Sequence, residues 1–119
     1  MQATNEAVWT ALSDPTRRAI VERLTRGPTR VTDIAAPFDM SLNAVSKHIK
    51  VLEAARLVRR TRQGREHSLE LDPAPLREVT RWASEVERFW SERLDRLEQF
   101  FEEKKKMEKK MEKKTRPRK

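Results

Sequence analysis

Asn43, Ser46, Lys47 and Lys50 follow one another at intervals of three, one and three, which on a helix gathers them into a single polar stripe. An amide can pair with both hydrogen-bonding groups of adenine, and an ammonium can meet guanine or a phosphate. The chemistry open to this stripe is therefore the reading of base-pair edges. Val45, Ile49 and Leu52 recur at i, i+4 and i+7 on the opposite side, and no acidic residue interrupts the segment before Glu53. A second set, Arg60, Arg62, Gln63 and Arg65, follows within one short stretch and supplies guanidinium groups suited to phosphate oxygens.

Other chemistries lack their residues. The chain has no cysteine, two histidines (His48 and His67) and two glycines (Gly27 and Gly64). That leaves no paired nucleophile and base, no phosphate-cradling loop and no ligand set at metal spacing, so neither an enzyme nor a cofactor is expected. His48 borders the apolar stripe, where a hydrogen-bonded packing role is favoured over a base contact, and His67 reads as structural.

Ser41 is a suitable N-cap, so the reading helix is expected over 41–55. A shorter helix, about Thr32 to Ala36, precedes it with Ile34 and Ala35 inward. Pro37 stops that helix, and the chain must turn at Phe38-Asp39-Met40. Two helices about a tight turn make a helix-turn-helix. After Leu57, two short runs flank a Gln63-Gly64 turn, with Leu69 and Leu71 alternating against polar neighbours, which predicts a β-hairpin over 58–71 with an arginine-rich tip. The sum is a winged helix: one helix for the major groove of double-stranded DNA, with the hairpin along phosphates or the minor groove.

Upstream, Val8, Trp9 and Leu12 form the apolar side of a first helix. Asp14-Pro15 opens a second, which buries Ala19, Ile20 and Leu24 and stops at Gly27-Pro28. Downstream of Asp72-Pro73 no helix breaker occurs until Pro117. Leu76, Val79, Ala83, Val86, Trp90, Leu97 and Phe100 recur at spacings of three and four, with one miss at Arg93. Trp82, Phe89, Leu94 and Phe101 widen this stripe, so one flank is expected to pack on its own domain and the other on a second copy. The expected interface comprises Val8, Trp9, Leu12, Trp82, Val86, Phe89, Trp90, Leu94 and Leu97. A two-fold pair would set two reading helices about one DNA turn, ~34 Å, apart and calls for an inverted-repeat operator. The predicted order is α-α-α-α-β-β-α, mainly helical with one small hairpin and a long C-terminal dimerisation helix.

The chain has 119 residues and a net charge of +8, enough for one domain. Residues 41–66 hold seven basic and two acidic side chains, whereas 67–103 hold five and ten. The positive charge thus coincides with the reading helix and the wing. We expect residues 1–103 to form the DNA-binding and dimerisation domain and 104–119 a frayed or disordered basic tail. No apolar run reaches the ~20 residues of a membrane span and none resembles a signal peptide, so a cytoplasmic protein without a membrane partner is expected. A small-molecule effector stays open as a partner, though nothing in the residues supports one. The competing reading is a winged-helix interaction adaptor, or a non-specific architectural DNA binder; sequence-selective binding with steep salt dependence separates them.

From Val8 to Phe101 the chain resembles the ArsR/SmtB family of bacterial winged-helix repressors. The segments that carry the likeness are LSDPTRRAIVERL, SLNAVSKHIKVLEAARLV, RQGREHSLELDPAPL and REVTRWASEVERFWSERLDRLE. The resemblance implies a homodimer that represses transcription, frequently of its own operon, through contacts made by its first and last helices. Many members sense metals through cysteines in the first helix of the DNA-binding motif or through His, Asp and Glu in the last helix. Here 31–38 offers only Asp33, and no histidine follows Pro73, so metal sensing is not expected. Arg56 stands where the family usually has a glycine, a costly choice if the left-handed conformation is needed there.

Overall fold

The computed structural model describes residues 3–115; the expectations for 116–119 lie outside the described residues. Helix α1 (Ala3–Leu12) is followed by α2 (Pro15–Leu24). Between them Asp14 adopts extended backbone, and its carboxylate accepts the Arg17 backbone N–H at 3.1 Å. Pro15, with no N–H to satisfy, takes the first helical position. Gly27, at φ +130°, lets the chain leave α2.

Strand β1 (Thr29–Arg30) then leads into α3 (Val31–Ala35), and α4 (Leu42–Ala54) follows. Ser41 caps α4, its Oγ accepting the Ala44 N–H at 3.1 Å. Strands β2 (Val58–Gln63) and β3 (Glu66–Leu71) form the wing, and α5 (Ala74–Thr115) completes the order. The sheet has three antiparallel strands in the order β1-β3-β2. The expected two-stranded hairpin thus gains a third strand. β1 spans two residues, too few to show a strand period, and exists because Thr29 pairs with Leu69.

The wing turn also sits one residue later than expected. Gln63 pairs with Glu66, so its two central residues are Gly64 and Arg65. Gly64 has φ +62° while Arg65 keeps a negative φ, the arrangement of a type II′ hairpin, whose first central position favours glycine.

The end of α4 is a Schellman motif. The Leu57 N–H donates to Leu52 O and the Arg56 N–H to Glu53 O, at 3.1 and 3.0 Å. Arg56, the residue just past the helix, has φ 60°, so the left-handed conformation is required of an arginine here. Leu52 and Leu57 are both fully buried, so the cap is also a hydrophobic contact.

The core gathers Val8 from α1, Ile20 and Leu24 from α2, Ile34 from α3, Val45, Ile49 and Leu52 from α4, and Leu69 from β3. Leu57 and Val58 close it where α4 passes into β2. Val8 is 2% exposed, so it faces its own domain and is not available at a contact between chains. On α1 it shares the inner side with Ala11, and Trp9 lies outward at 41%.

The chain divides into two compact units, Met1–Thr80 and Arg81–Lys119. Leu76 and Val79, in the first turns of α5, are half-buried against the core of the first unit. From Arg81 to Lys114 every residue is exposed. Helix α5 also runs through Thr115, so the expected start of the tail at Lys104 lies inside it. Lys, Glu and Met are strong helix formers, and no proline or glycine occurs between Leu76 and Thr115. Lys113 and Lys114 occupy the last turn, where cations oppose the helix dipole.

Candidate nucleic-acid interface

Helix α4 buries Val45, Ile49 and Leu52 completely, each 0% exposed, while Asn43, Lys47 and Lys50 are exposed. Their spacing gives them one outward sector opposite that buried stripe. Ser46 belongs to the same sector but is half-buried, and Ser41 already accepts a helix N–H at the N-terminus.

The wing presents Arg62, Gln63 and Arg65 exposed at its tip. The Arg62 Nε donates to Gly64 O at 2.9 Å, which folds that guanidinium over its own turn. A cleft of about 350 Å³ joins helix and wing, with Ser46 from α4 and Arg60, Arg65 and Glu66 from the hairpin among its lining residues. These elements therefore bring Ser46, Arg60 and Arg65 together. Arg60 is held inside this arrangement: its Nη2 and Nε donate to Glu53 Oε1 at 2.8 and 3.3 Å. Arg59, the next residue back, alternates to the other face and lies across from Glu70.

Two further arginines, outside the expected set, hold these elements in place. Arg30, at the end of β1, donates to Asp33 in α3 and to Glu66 in β3, at 3.2 and 3.1 Å. Its guanidinium pKa is raised by the hydrogen bond to Glu66 first and by Asp33 second. This arginine links the first helix of the motif to the wing. Arg17 performs a comparable task behind α4. Its Nε and Nη2 donate to Ala11 O and Thr10 O at 2.8 and 2.9 Å, satisfying the end of α1. Its Nη1 approaches His48 Nδ1 at 3.1 Å. His48 thereby has the packing role read from its place beside the buried stripe. Asp14 Oδ2, 3.8 Å from the same nitrogen, completes the cluster. The Asp14 carboxyl is held below the usual range, chiefly by the backbone N–H of Arg17, with the charges of His48 and Arg17 adding to the effect.

Of the other expected interface residues, Leu12 is half-buried against its own core. Trp9, Trp82, Val86, Phe89, Trp90, Leu94 and Leu97 are between 41% and 60% exposed. Arg93, the miss in the apolar pattern, places its guanidinium 5.9 Å from the Trp90 ring centre, a cation–π geometry. Among the described residues no group of three His, Asp or Glu side chains converges to hold a metal, and no helix is long and apolar enough to cross a membrane.

A helix-turn-helix domain family matches residues 12–61. The HTH-type transcriptional regulator Rv2034 of Mycobacterium tuberculosis is 43% identical over 89 residues, covering 75% of this chain and 80% of that protein. The transcriptional repressor SdpR of Bacillus subtilis is 33% identical over 75 residues, 63% of this chain and 83% of its own. Among solved structures, an ArsR family transcriptional regulator aligns with TM-score 0.70 at 39% identity, covering 74% of this chain and 91% of that one. A homodimeric winged helix-turn-helix DNA-binding domain from Mycobacterium bovis aligns with TM-score 0.55 at 25% identity, covering 76% and 82%.

Proposed function

The chain belongs to the ArsR/SmtB family of winged helix-turn-helix transcriptional regulators, and we propose that it is a homodimeric repressor that recognises an inverted-repeat operator, its own among them, without a metal. The observation that carries this reading is the outward sector of α4. Asn43, Lys47 and Lys50 stand exposed there, opposite a stripe buried to the last residue.

In the proposed complex α4 lies in the major groove. Asn43 pairs with adenine, and Lys47 with guanine or a phosphate. Ser41, Ser46 and Lys50 contact the flanking backbone and base edges. Arg60, Arg62, Gln63 and Arg65 set the wing against phosphates or the minor groove, which fixes register more than it selects sequence. Trp9 and the exposed aromatic face of α5, from Trp82 through Leu97, join two copies. Support for a pair comes from the homodimeric relative and from the run of large apolar side chains left uncovered in a single chain. Support for repression comes from the Bacillus subtilis relative. The cytoplasm is the matching location.

The test is fluorescence anisotropy with the protein's own upstream region against a random duplex of equal length, at low and near-physiological salt, with and without a chelator. Selective, salt-steep binding unaffected by chelation is the expected result. Binding lost on chelation would overturn the metal-free reading. Binding without selectivity would replace the repressor by an adaptor or an architectural protein.

A further inference from the structure

We infer that Leu42 reads a thymine in each half-site of the operator, packing its side chain on the 5-methyl group of that base in the major groove. This rests on the repressor proposed above and adds one apolar determinant of specificity to its polar contacts.

Leu42 is the first residue of α4. It stands 54% exposed, the most of any large apolar side chain among the described residues as far as Thr80. The core takes Val45, Ile49 and Leu52 from this helix and leaves Leu42 out. Its neighbours are the groups that meet DNA in the proposed complex. Ser41 caps the helix just before it, and exposed Asn43 follows it. Ser46 lies one turn further along the same side. Leu42 also lines the cleft between helix and wing, together with Ser46 and Arg65. It therefore occupies the N-terminal end of the reading helix, where base edges are met.

A leucine side chain forms no hydrogen bond, so its favourable partner in the groove must be apolar. The major-groove edges of adenine, guanine and cytosine offer donors and acceptors, whereas thymine adds a methyl group. Packed together, the leucine and that methyl group shed water from both surfaces at once. Set over the O6 and N7 of guanine or the amino group of cytosine, the same side chain would strip water from a polar edge and return no hydrogen bond. Leu42 thus favours thymine at its position and penalises the alternatives, a selectivity that the cations of the wing do not supply.

The probe is the duplex that the full-length protein enriches most strongly from a randomised pool long enough for two half-sites one helical turn apart. Deoxyuridine in place of thymine removes the methyl group alone and keeps the base pair. Each thymine of the selected sequence is replaced in turn, and affinity is read by fluorescence anisotropy. At one thymine per half-site the wild type should lose about fourfold, and about fifteenfold when the symmetric pair is replaced together, the value of one buried carbon in each half. Leu42→Ala should bind the thymine and uracil duplexes nearly alike, close to the wild type on uracil. Because Leu42 is exposed, its truncation opens no core cavity, and an unchanged Tm verifies that the variant folds. A thymine whose replacement weakens Leu42→Ala as much as the wild type would assign the methyl contact to another side chain and overturn the inference. Selective binding indifferent to every uracil would also overturn it and leave the repressor standing. A pool from which no sequence is enriched would end the proposed function, and the inference with it.

Discussion

The Arg60 guanidinium donates to Glu53 Oε1 at 2.8 Å and so ties the first wing strand to the last turn of the helix that reads DNA in our proposal. Both side chains remain about 30% exposed, which places the pair in the range of ~0.2–1 kcal/mol found for solvent-accessible ion pairs. Its greater consequence is electrostatic. A cation in the region proposed to meet phosphate is already neutralised by a neighbour, so DNA must compete for it.

Glu53→Gln should therefore release Arg60 to phosphate. We expect affinity for operator and random duplex alike to rise about two- to fivefold at ~100 mM salt, and the plot of log K against log salt to steepen by about one unit. Anisotropy titrations at four salt concentrations read both quantities. A slope unchanged from wild type would mean that Arg60 does not reach the backbone.

Lys47 and Arg62 should divide specificity from affinity. Lys47→Ala removes an exposed group from the outward sector of α4 and is expected to cost about 1–3 kcal/mol on operator DNA with little loss on random duplex. Arg62→Ala should weaken both DNAs to a similar degree and lower the salt slope by about one. Equal losses from the two variants on both duplexes would contradict the proposed roles.

Much of this arrangement is legible in the chain because its signals are local. Asp14-Pro15 and Ser41 mark helix starts through bonds to residues three positions on, and the Gly64 turn needs only its own φ. The one-residue displacement of that turn arises because Gln63-Gly64 and Gly64-Arg65 both place a glycine at a bend, and the pairing of Gln63 with Glu66 selects between them. Arg30 is invisible for the opposite reason: its partner Glu66 lies 36 residues away, and nothing near Arg30 announces a sheet. Val8 and Trp9 are adjacent apolar residues in sequence, and only the packing of α1 on its neighbours decides which is buried.

Arg56 in the left-handed region is a position at which the fold can be improved. An L-residue there costs roughly 1–2 kcal/mol relative to glycine, and part of this is returned because glycine is freer in the unfolded chain. Arg56→Gly should leave both Schellman hydrogen bonds in place and raise stability by about 1 kcal/mol, visible as a rise in Tm of about 5 °C. Arg56→Ala should give no comparable gain, since alanine keeps the Cβ that makes the conformation costly. A glycine variant no more stable than wild type would show that the arginine side chain compensates its own strain.

Asp14 links the fold to pH. Its carboxyl is held below the usual carboxylate range by the Arg17 backbone N–H first, with His48 and Arg17 contributing charge. The folded state therefore favours the ionised form more than the unfolded chain does. The resulting stabilisation is complete above the unfolded value, near pH 4, and is lost as pH falls through the lower folded value. An asparagine in its place would keep a capping oxygen but cannot titrate. Urea unfolding midpoints from pH 6 down to pH 2.5 should fall less steeply for Asp14→Asn than for wild type, with the curves converging at the acid end. Because Asp14, Arg17 and His48 meet at the back of α4, loss of this ion should loosen the support of that helix before the wing is affected. Amide exchange at pH 3 should then rise in α2 and α4 earlier than in β2 and β3; uniform exchange across all four would mean that the cluster has no local hold on α4.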